Sequence, residues 1–319
     1  MAEVPGAPFL MSSSSRRVFL ASSAAGVFAG AAGRPLPAAE APAAETREAR
    51  PFSLIGFTKP FIDLSFDATA DLVAEVGWDG VEVAVRDGTS THIAPARVEE
   101  DLPRMVEALG KRGKQLAIVT TSVVTLDPAG ERVLKATAAA GIPRVRLGFL
   151  KYPKDGDPAK RVVDLHAALA DVAAACRDLG LQAGYQNHSG AEYVGAAVWD
   201  LHEALADLDP KHVGACFDIA HATVEGGLAW PLHARLMADH LVAVFCKDFF
   251  WERTDAGQKL RWCPLGEGVV QRSFFDWLKT TRFSGPISQH HEYGGLGTVP
   301  AMMAQLKCDL ARLREWIEA

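Results

Sequence analysis

Val213-Gly214-Ala215-Cys216-Phe217-Asp218-Ile219-Ala220-His221 is a short apolar run that closes on an acid and, three residues later, an imidazole. Three further runs in the C-terminal half end in the same way. One closes on Gln186-Asn187-His188, one on Lys247-Asp248 and one on His290-His291-Glu292. The clusters lie roughly thirty to forty residues apart, the length of one strand and the helix that follows it. If the runs are parallel barrel strands, all four clusters meet on one rim, where such barrels carry out chemistry.

Working outward, short apolar runs alternate with amphipathic segments from Pro51 onward. The pattern predicts strands at Phe52–Phe57, Gly80–Val85, Gln115–Thr121, Arg144–Phe149, Gln182–Asn187, Val213–Ile219, Val242–Lys247 and Ile287–Glu292. Helices are predicted at Ala68–Val76, Val98–Arg112, Arg132–Ala140, Lys160–Leu179, Ala196–Leu208, Ser273–Thr281 and Val299–Glu318. Gly77-Trp78-Asp79-Gly80 and Leu179-Gly180 are helix-stop signals placed just before a strand. Eight alternations over about 270 residues fit an α/β (β/α)8 TIM barrel. A doubly wound open sheet would want a glycine-rich phosphate loop after its first strand. Gly56-Phe57-Thr58-Lys59-Pro60-Phe61 offers none.

The 319 residues are 49% hydrophobic and 23% charged, as in a soluble globular protein, and carry a net charge of −6. That balance argues against a nucleic-acid partner, which calls for a basic face. Cys176, Cys216, Cys246, Cys263 and Cys308 are odd in number and show no CxxC spacing, so neither a disulfide framework nor a structural zinc is indicated. Residues 1–50 read as a targeting segment and linker, and residues 51–319 as the barrel. Ser15-Arg16-Arg17-Val18-Phe19-Leu20 before the weakly apolar stretch Ala21 to Gly33 reads as a twin-arginine signal. That stretch is too short and too rich in small residues to span a bilayer. Ala41-Pro42-Ala43 is a candidate cleavage site. The expected location is periplasmic or otherwise exported, the expected partner upstream is the twin-arginine export machinery, and no membrane contact is expected after signal removal.

Each cluster has a structural and a chemical reading. Gln186, Asn187 and His188 could bind hydroxyls or a metal, or simply make a capping turn. Asp218 could cap a helix, yet an ionised carboxylate closing so apolar a run needs a cation or several donors. Strand alternation puts Phe245 and Lys247 on one face and Cys246 and Asp248 on the other. A lysine at a barrel mouth can move a proton or hold an oxyanion, and at a surface it would form a salt bridge. His290 and Glu292 share a face and suit acid–base work or metal ligation. Glu82, Arg146 and Lys59 are weaker candidates on earlier strands, and Trp230, Trp251 and Trp262 could stack on a sugar ring.

Gly80-Val81-Glu82, Gln186-Asn187-His188, Phe217-Asp218-x-x-His221, Lys247-Asp248, Leu265-Gly266-Glu267-Gly268 and Gly285-Pro286-Ile287-Ser288, in this order, resemble the xylose-isomerase-like TIM barrels. This sugar phosphate isomerase/epimerase superfamily also holds the endonuclease IV type of DNA repair enzyme. The resemblance covers about residues 52–318. It implies a divalent metal held by Glu, Asp, His and Glu from strands five to eight, with the two glutamates moving a proton beside a carbonyl. The matching positions here resemble Gln186, Asp218, Phe245 and His290, so only the aspartate is kept. His221 resembles the family's substrate-binding histidine. Two arrangements stay open. In one, a metal (Mn, Zn, Co or Fe) sits in a rebuilt set drawn from Asp218, His188, His290 and Glu292. In the other there is no catalytic metal, and Lys247 and the histidines do the electrostatic and proton-transfer work.

The expectation is therefore an exported isomerase or epimerase that removes a proton next to the carbonyl of a sugar or keto-sugar. His290 or Glu292 would be the base, and Lys247 or a metal would stabilise the enediolate. Gln186, His188, His221, Glu82 and Asp248 would contact the carbohydrate. β-Elimination on a keto-glycoside starts with the same step. A non-catalytic carbohydrate-binding barrel is the competing class, and abasic-site DNA cleavage is disfavoured by the thin ligand set. The resemblance also allows a homodimer.

Overall fold

The computed structural model describes residues 52–294 and 298–318. The export signal and linker assigned to residues 1–50 lie outside the described residues. The described residues form ten strands: β1 (Leu54–Phe57), β2 (Gly80–Val85), β3 (Gln115–Thr121), β4 (Arg144–Arg146), β5 (Gln182–Gln186), β6 (Val213–Asp218), β7 (Leu241–Cys246), β8 (Asp248–Thr254), β9 (Gly257–Cys263) and β10 (Ile287–Gln289). Eight close into a barrel in the order β1-β10-β7-β6-β5-β4-β3-β2, with every neighbouring pair parallel. The doubly wound alternative is excluded, since an open sheet leaves two edges.

The helices are α1 (Phe66–Val76), α2 (Val98–Gly110), α3 (Pro128–Ala139), α4 (Pro158–Leu179), α5 (Val198–Leu205), α6 (Ile219–Gly226), α7 (Trp230–Met237), α8 (Ser273–Leu278) and α9 (Val299–Glu318). Their ends follow local chemistry. Ser65 caps α1 by accepting from the Ala68 amide at 3.2 Å, and Asp127 and Asp157 cap α3 and α4. Gly77 and Gly180 end α1 and α4 at φ of 95° and 69°, a region open to glycine at little cost. No described helix is long and apolar enough to cross a membrane.

Two apolar layers follow from the strand alternation. Ile55, Ala117, Ile118, Cys216, Ala243 and Phe245 fill the barrel interior. The larger layer lies between strands and helices, and includes Val81, Val83, Leu102, Leu165, Leu201, Phe274 and Leu313. The strands β2 and β6 are buried throughout, as expected of a parallel sheet covered on its outer face. Gly56 lets the chain pass the Trp78 indole, because a Cβ there would collide with that ring.

Three elements depart from expectation. The fourth strand stops at Arg146, because the Gly148 amide leaves the ladder for the Val123 carbonyl at 2.8 Å. The eighth barrel strand, β10, stops at Gln289, so His290 and Glu292 lie beyond it and do not follow strand alternation. The antiparallel hairpin β8–β9, unforeseen in the sequence, rises from the rim after β7.

Candidate active site

Asp218 ends β6 and at the same time caps α6, its Oδ1 accepting from the His221 amide at 3.1 Å. The cap and the chemical reading are thus both true of one residue. Its backbone is fixed by Asn187, which donates to the Asp218 carbonyl at 3.0 Å and accepts from its amide at 2.8 Å. The carboxylate is fully buried. Its Oδ2 accepts from the Gln186 amide nitrogen at 2.8 Å and lies 3.1 Å from Lys247 Nζ. Lys247 Nζ is also 2.9 Å from His221 Nε2, and His221 Nδ1 is 2.8 Å from Ser189 Oγ. The ammonium can only donate, so His221 accepts at Nε2 and carries its proton on Nδ1, donating to Ser189.

Burial alone would raise the Asp218 pKa, but the positive groups around it win and hold it well below the usual carboxylate range. His221 is itself pushed well below its ordinary value by burial, and so is neutral at pH 7. Lys247 is then the cation that keeps Asp218 ionised. His188 packs against His221 with ring centroids 4.0 Å apart, and burial followed by the Lys247 charge lowers its pKa too.

A second cluster begins on the neighbouring strand, where the His290 amide donates to the Cys246 carbonyl at 2.8 Å. Glu82 on β2 accepts from Thr120 Oγ1, from Ser288 Oγ at 2.7 Å and from His290 Nε2 at 3.0 Å. Burial opposes its ionisation, and the charges of His290 and Arg146 with these hydrogen bonds outweigh it, so its pKa is lowered. The His290 ring stacks on Phe245 at 4.5 Å and meets Phe57 at 4.9 Å. With Nε2–H given to Glu82, the basic nitrogen of a neutral His290 is Nδ1.

The structure thus gathers Gln186, His188, Asp218, His221 and Lys247 into one cluster, and Glu82 and His290 into another. Glu292 lies beyond the end of β10, its Oε2 2.7 Å from Lys59 Nζ and its carboxylate within reach of the Lys247 and His290 charges. Asp248 is not part of either cluster. Its carboxylate accepts from the amides of Phe249 and Val270 at 2.8 and 3.0 Å, and of Gly266 and Gly268 at 2.9 and 3.0 Å. The substrate contact expected of Asp248 is replaced by four backbone contacts, and strand alternation had already turned it from Lys247.

Thr120, Ser288 and Ser189 were not singled out as site residues, although Ser189 directly follows the polar run. Thr120 and Ser288 carry a usable signal, since a hydroxyl inside an apolar strand seeks a partner. Trp262 from β9 covers the first cluster, its ring centroid 4.7 Å from Lys247 Nζ. A groove of about 450 Å³ between α3 and α4, lined by Leu126, Leu134, Ala175 and Leu179, holds none of these groups.

The residues do not fit the divalent metal that the resemblance implies. Among the described residues no three His, Cys, Asp or Glu side chains converge as a ligand set. Of the rebuilt set, Asp218 is bound to Gln186 and Lys247, His290 to Glu82, Glu292 to Lys59, and His188 Nδ1 to the Ser189 carbonyl at 2.8 Å. The substitutions are consistent with one another. A glutamate at 186 would set a second carboxylate against Asp218 and needs a dication between them. The neutral amide donates instead, and Lys247 brings a single positive charge.

Over residues 70–316 the sequence matches the family described as xylose isomerase-like TIM barrel. Among curated proteins none matches it. Solved structures share the architecture at low identity. A putative xylose isomerase from Rhodospirillum rubrum is 17% identical with a TM-score of 0.67, over 83% of this chain and 99% of that one. The 3-keto-D-glucoside 4-epimerase from E. coli is 15% identical with a TM-score of 0.63, over 83% and 100%. The probable 3-DHS dehydratase from Bacillus anthracis is 14% identical with a TM-score of 0.57, over 82% and 98%. Three such different reactions on one scaffold mean that these likenesses show the fold alone. This chain belongs to the xylose isomerase-like TIM barrel family.

Proposed function

We propose that this barrel is an enzyme that removes a proton from the carbon beside a carbonyl of a sugar or keto-sugar and returns it, as in isomerisation or epimerisation. The observation that carries the reading is a carboxylate-held imidazole, Glu82–His290, placed just past β10, and a carboxylate-held ammonium, Asp218–Lys247, placed just past the neighbouring strand β7. Such a pair supplies a base and a stabiliser for the negative charge that develops on the carbonyl oxygen.

In this mechanism His290 takes the proton at Nδ1 while Glu82 holds Nε2–H and offsets the charge of the imidazolium. Lys247 donates to the enolate oxygen, and Asp218 and His221 hold its side chain in place. Gln186 and His188 contact hydroxyls, since both ring nitrogens of His221 are engaged by Lys247 and Ser189. Glu292 keeps Lys59 at the rim and is the weaker candidate for the base, since a lysine already holds its carboxylate. The paired arginines near the N-terminus support an exported enzyme, which favours a substrate without phosphate.

The test is deuterium exchange. The protein is incubated with a panel of sugars and keto-sugars in D2O and followed by NMR. Exchange at a carbon beside the carbonyl is expected, falling about 10²- to 10⁴-fold in His290→Ala. Full activity in both His290→Ala and Lys247→Ala removes the assignment. Tight binding of a sugar with neither exchange nor product indicates a binding barrel.

A further inference from the structure

Arg146 has no use in that mechanism. It ends β4 and is only 4% exposed, yet its guanidinium makes no hydrogen bond among the described residues. Its Nε is enclosed and unpartnered. A buried arginine presents five N–H donors, and leaving them unmet is costly.

The nearby carboxylates do not answer it. The Glu82 oxygens are held by Thr120, Ser288 and His290. Those of Asp218 are held by Gln186, Lys247 and the His221 amide. Glu292 is paired with Lys59. These anions balance the charge of Arg146 at a distance and leave its fork open. The half-buried Arg86 at the end of β2 adds like charge. Its pKa is lowered by burial and then by the charge of Arg146, so the two repel. Two neighbouring guanidiniums with one free fork make a place for an anion.

The shape of the place limits the anion. The guanidinium carbon lies 4.8 Å from the Phe149 ring centroid and 5.9 Å from that of Phe245. Rings over the guanidinium leave its edge for an anion, which suits a planar two-oxygen group meeting the fork in its own plane. Phe245 also stacks on His290, so a group held by Arg146 lies one ring away from the proposed base.

We propose that the substrate carries a carboxylate, as a sugar acid or its keto form, and that Arg146 binds it. This rests on the proton-transfer reading above. Arg146 would then be a specificity-determining residue that separates this chain's substrate from neutral sugars.

The experiment is calorimetric titration of the whole protein with D-glucuronate, D-galacturonate and D-gluconate, against D-glucuronamide, D-glucose and D-glucose 6-phosphate. At least one acid is expected to bind about ten- to hundredfold more tightly than its uncharged counterpart, the worth of a charge-assisted bidentate contact. Arg146→Met should erase that preference, and Arg146→Lys should keep only a small part of it. The comparison of glucuronate with glucuronamide on the unaltered protein stands even if a variant folds poorly. Equal binding of acid and amide, no binding of any acid, tighter binding of the phosphate, or a preference that survives in folded Arg146→Met each overturns the proposal. Its failure is separable from that of the catalytic reading. Deuterium exchange into a neutral sugar without acid binding leaves proton transfer standing and removes the carboxylate. Acid binding lost in Arg146→Met, without exchange into any sugar, does the reverse.

Discussion

At the scale of single residues, the site turns on the contact between Lys247 and Asp218. Both are buried, and their attraction must offset the loss of hydration of two charges. Gln186 and the His221 amide complete that compensation by donating to the Asp218 carboxylate, while Asn187 fixes its backbone. Removing the lysine alone strands a buried anion. Lys247→Met is therefore expected to lose about 3–5 kcal/mol in urea denaturation. Adding Asp218→Asn removes the stranded charge, so the double variant should be more stable than Lys247→Met alone, a coupling that a thermodynamic cycle reads directly. A Lys247→Met protein as stable as the parent would mean that the pair is not buried as described.

At the scale of elements, the strand-and-helix repeat was legible because each parallel strand is buried on both faces and each helix on one. The two periods are therefore written plainly in the chain. Direction was less legible. Asp248 follows Lys247 by one residue, and the sequence showed its place on the rim before its use was visible. Three of the four amides it binds belong to a loop 18 to 22 residues downstream. The hairpin β8–β9 was missed although Phe249, Trp251, Leu260 and Trp262 flank the turn at Asp255-Ala256-Gly257. An excursion inside a barrel repeat is masked by the repeat itself. Glycine reports the packing here, since a Cβ at Gly268 would collide with Asp248 and the Phe249 carbonyl. Asp248→Ala should free the Gly266, Gly268 and Val270 amides and loosen the hairpin base. The expected readouts are faster hydrogen exchange at those three amides and a loss of about 2–4 kcal/mol, since bonds to a charged group are worth about 1.5–3 kcal/mol each before the loop relaxes. Unchanged exchange at all three would show that the carboxylate does not organise the loop.

At the scale of the whole molecule, the buried titratable groups set how stability responds to acid. Burial is the leading cause that lowers the pKa values of His92, His188, His221, His233, His240 and His291. Each is neutral in the fold and would rather be charged when unfolded below about pH 6.5. Their contribution is complete above that pH and is lost as the pH falls. The carboxylates of Glu82, Asp218 and Glu292 are also held below their ordinary values, because neighbouring cations overcome their burial. They add a further loss below about pH 4. Asp309 works the other way. Burial raises it to about 6, so its protonation in the fold recovers stability as the pH falls through that value. One acid opposes six imidazoles, and the imidazoles should prevail. Thermal unfolding is therefore expected to move down by roughly 5 °C or more between about pH 7.5 and about pH 5. Asp309→Asn, which removes the opposing group, should make the fall steeper across the same interval. A melting temperature that is flat or higher at the acid end would mean that those imidazoles are not held neutral by the fold.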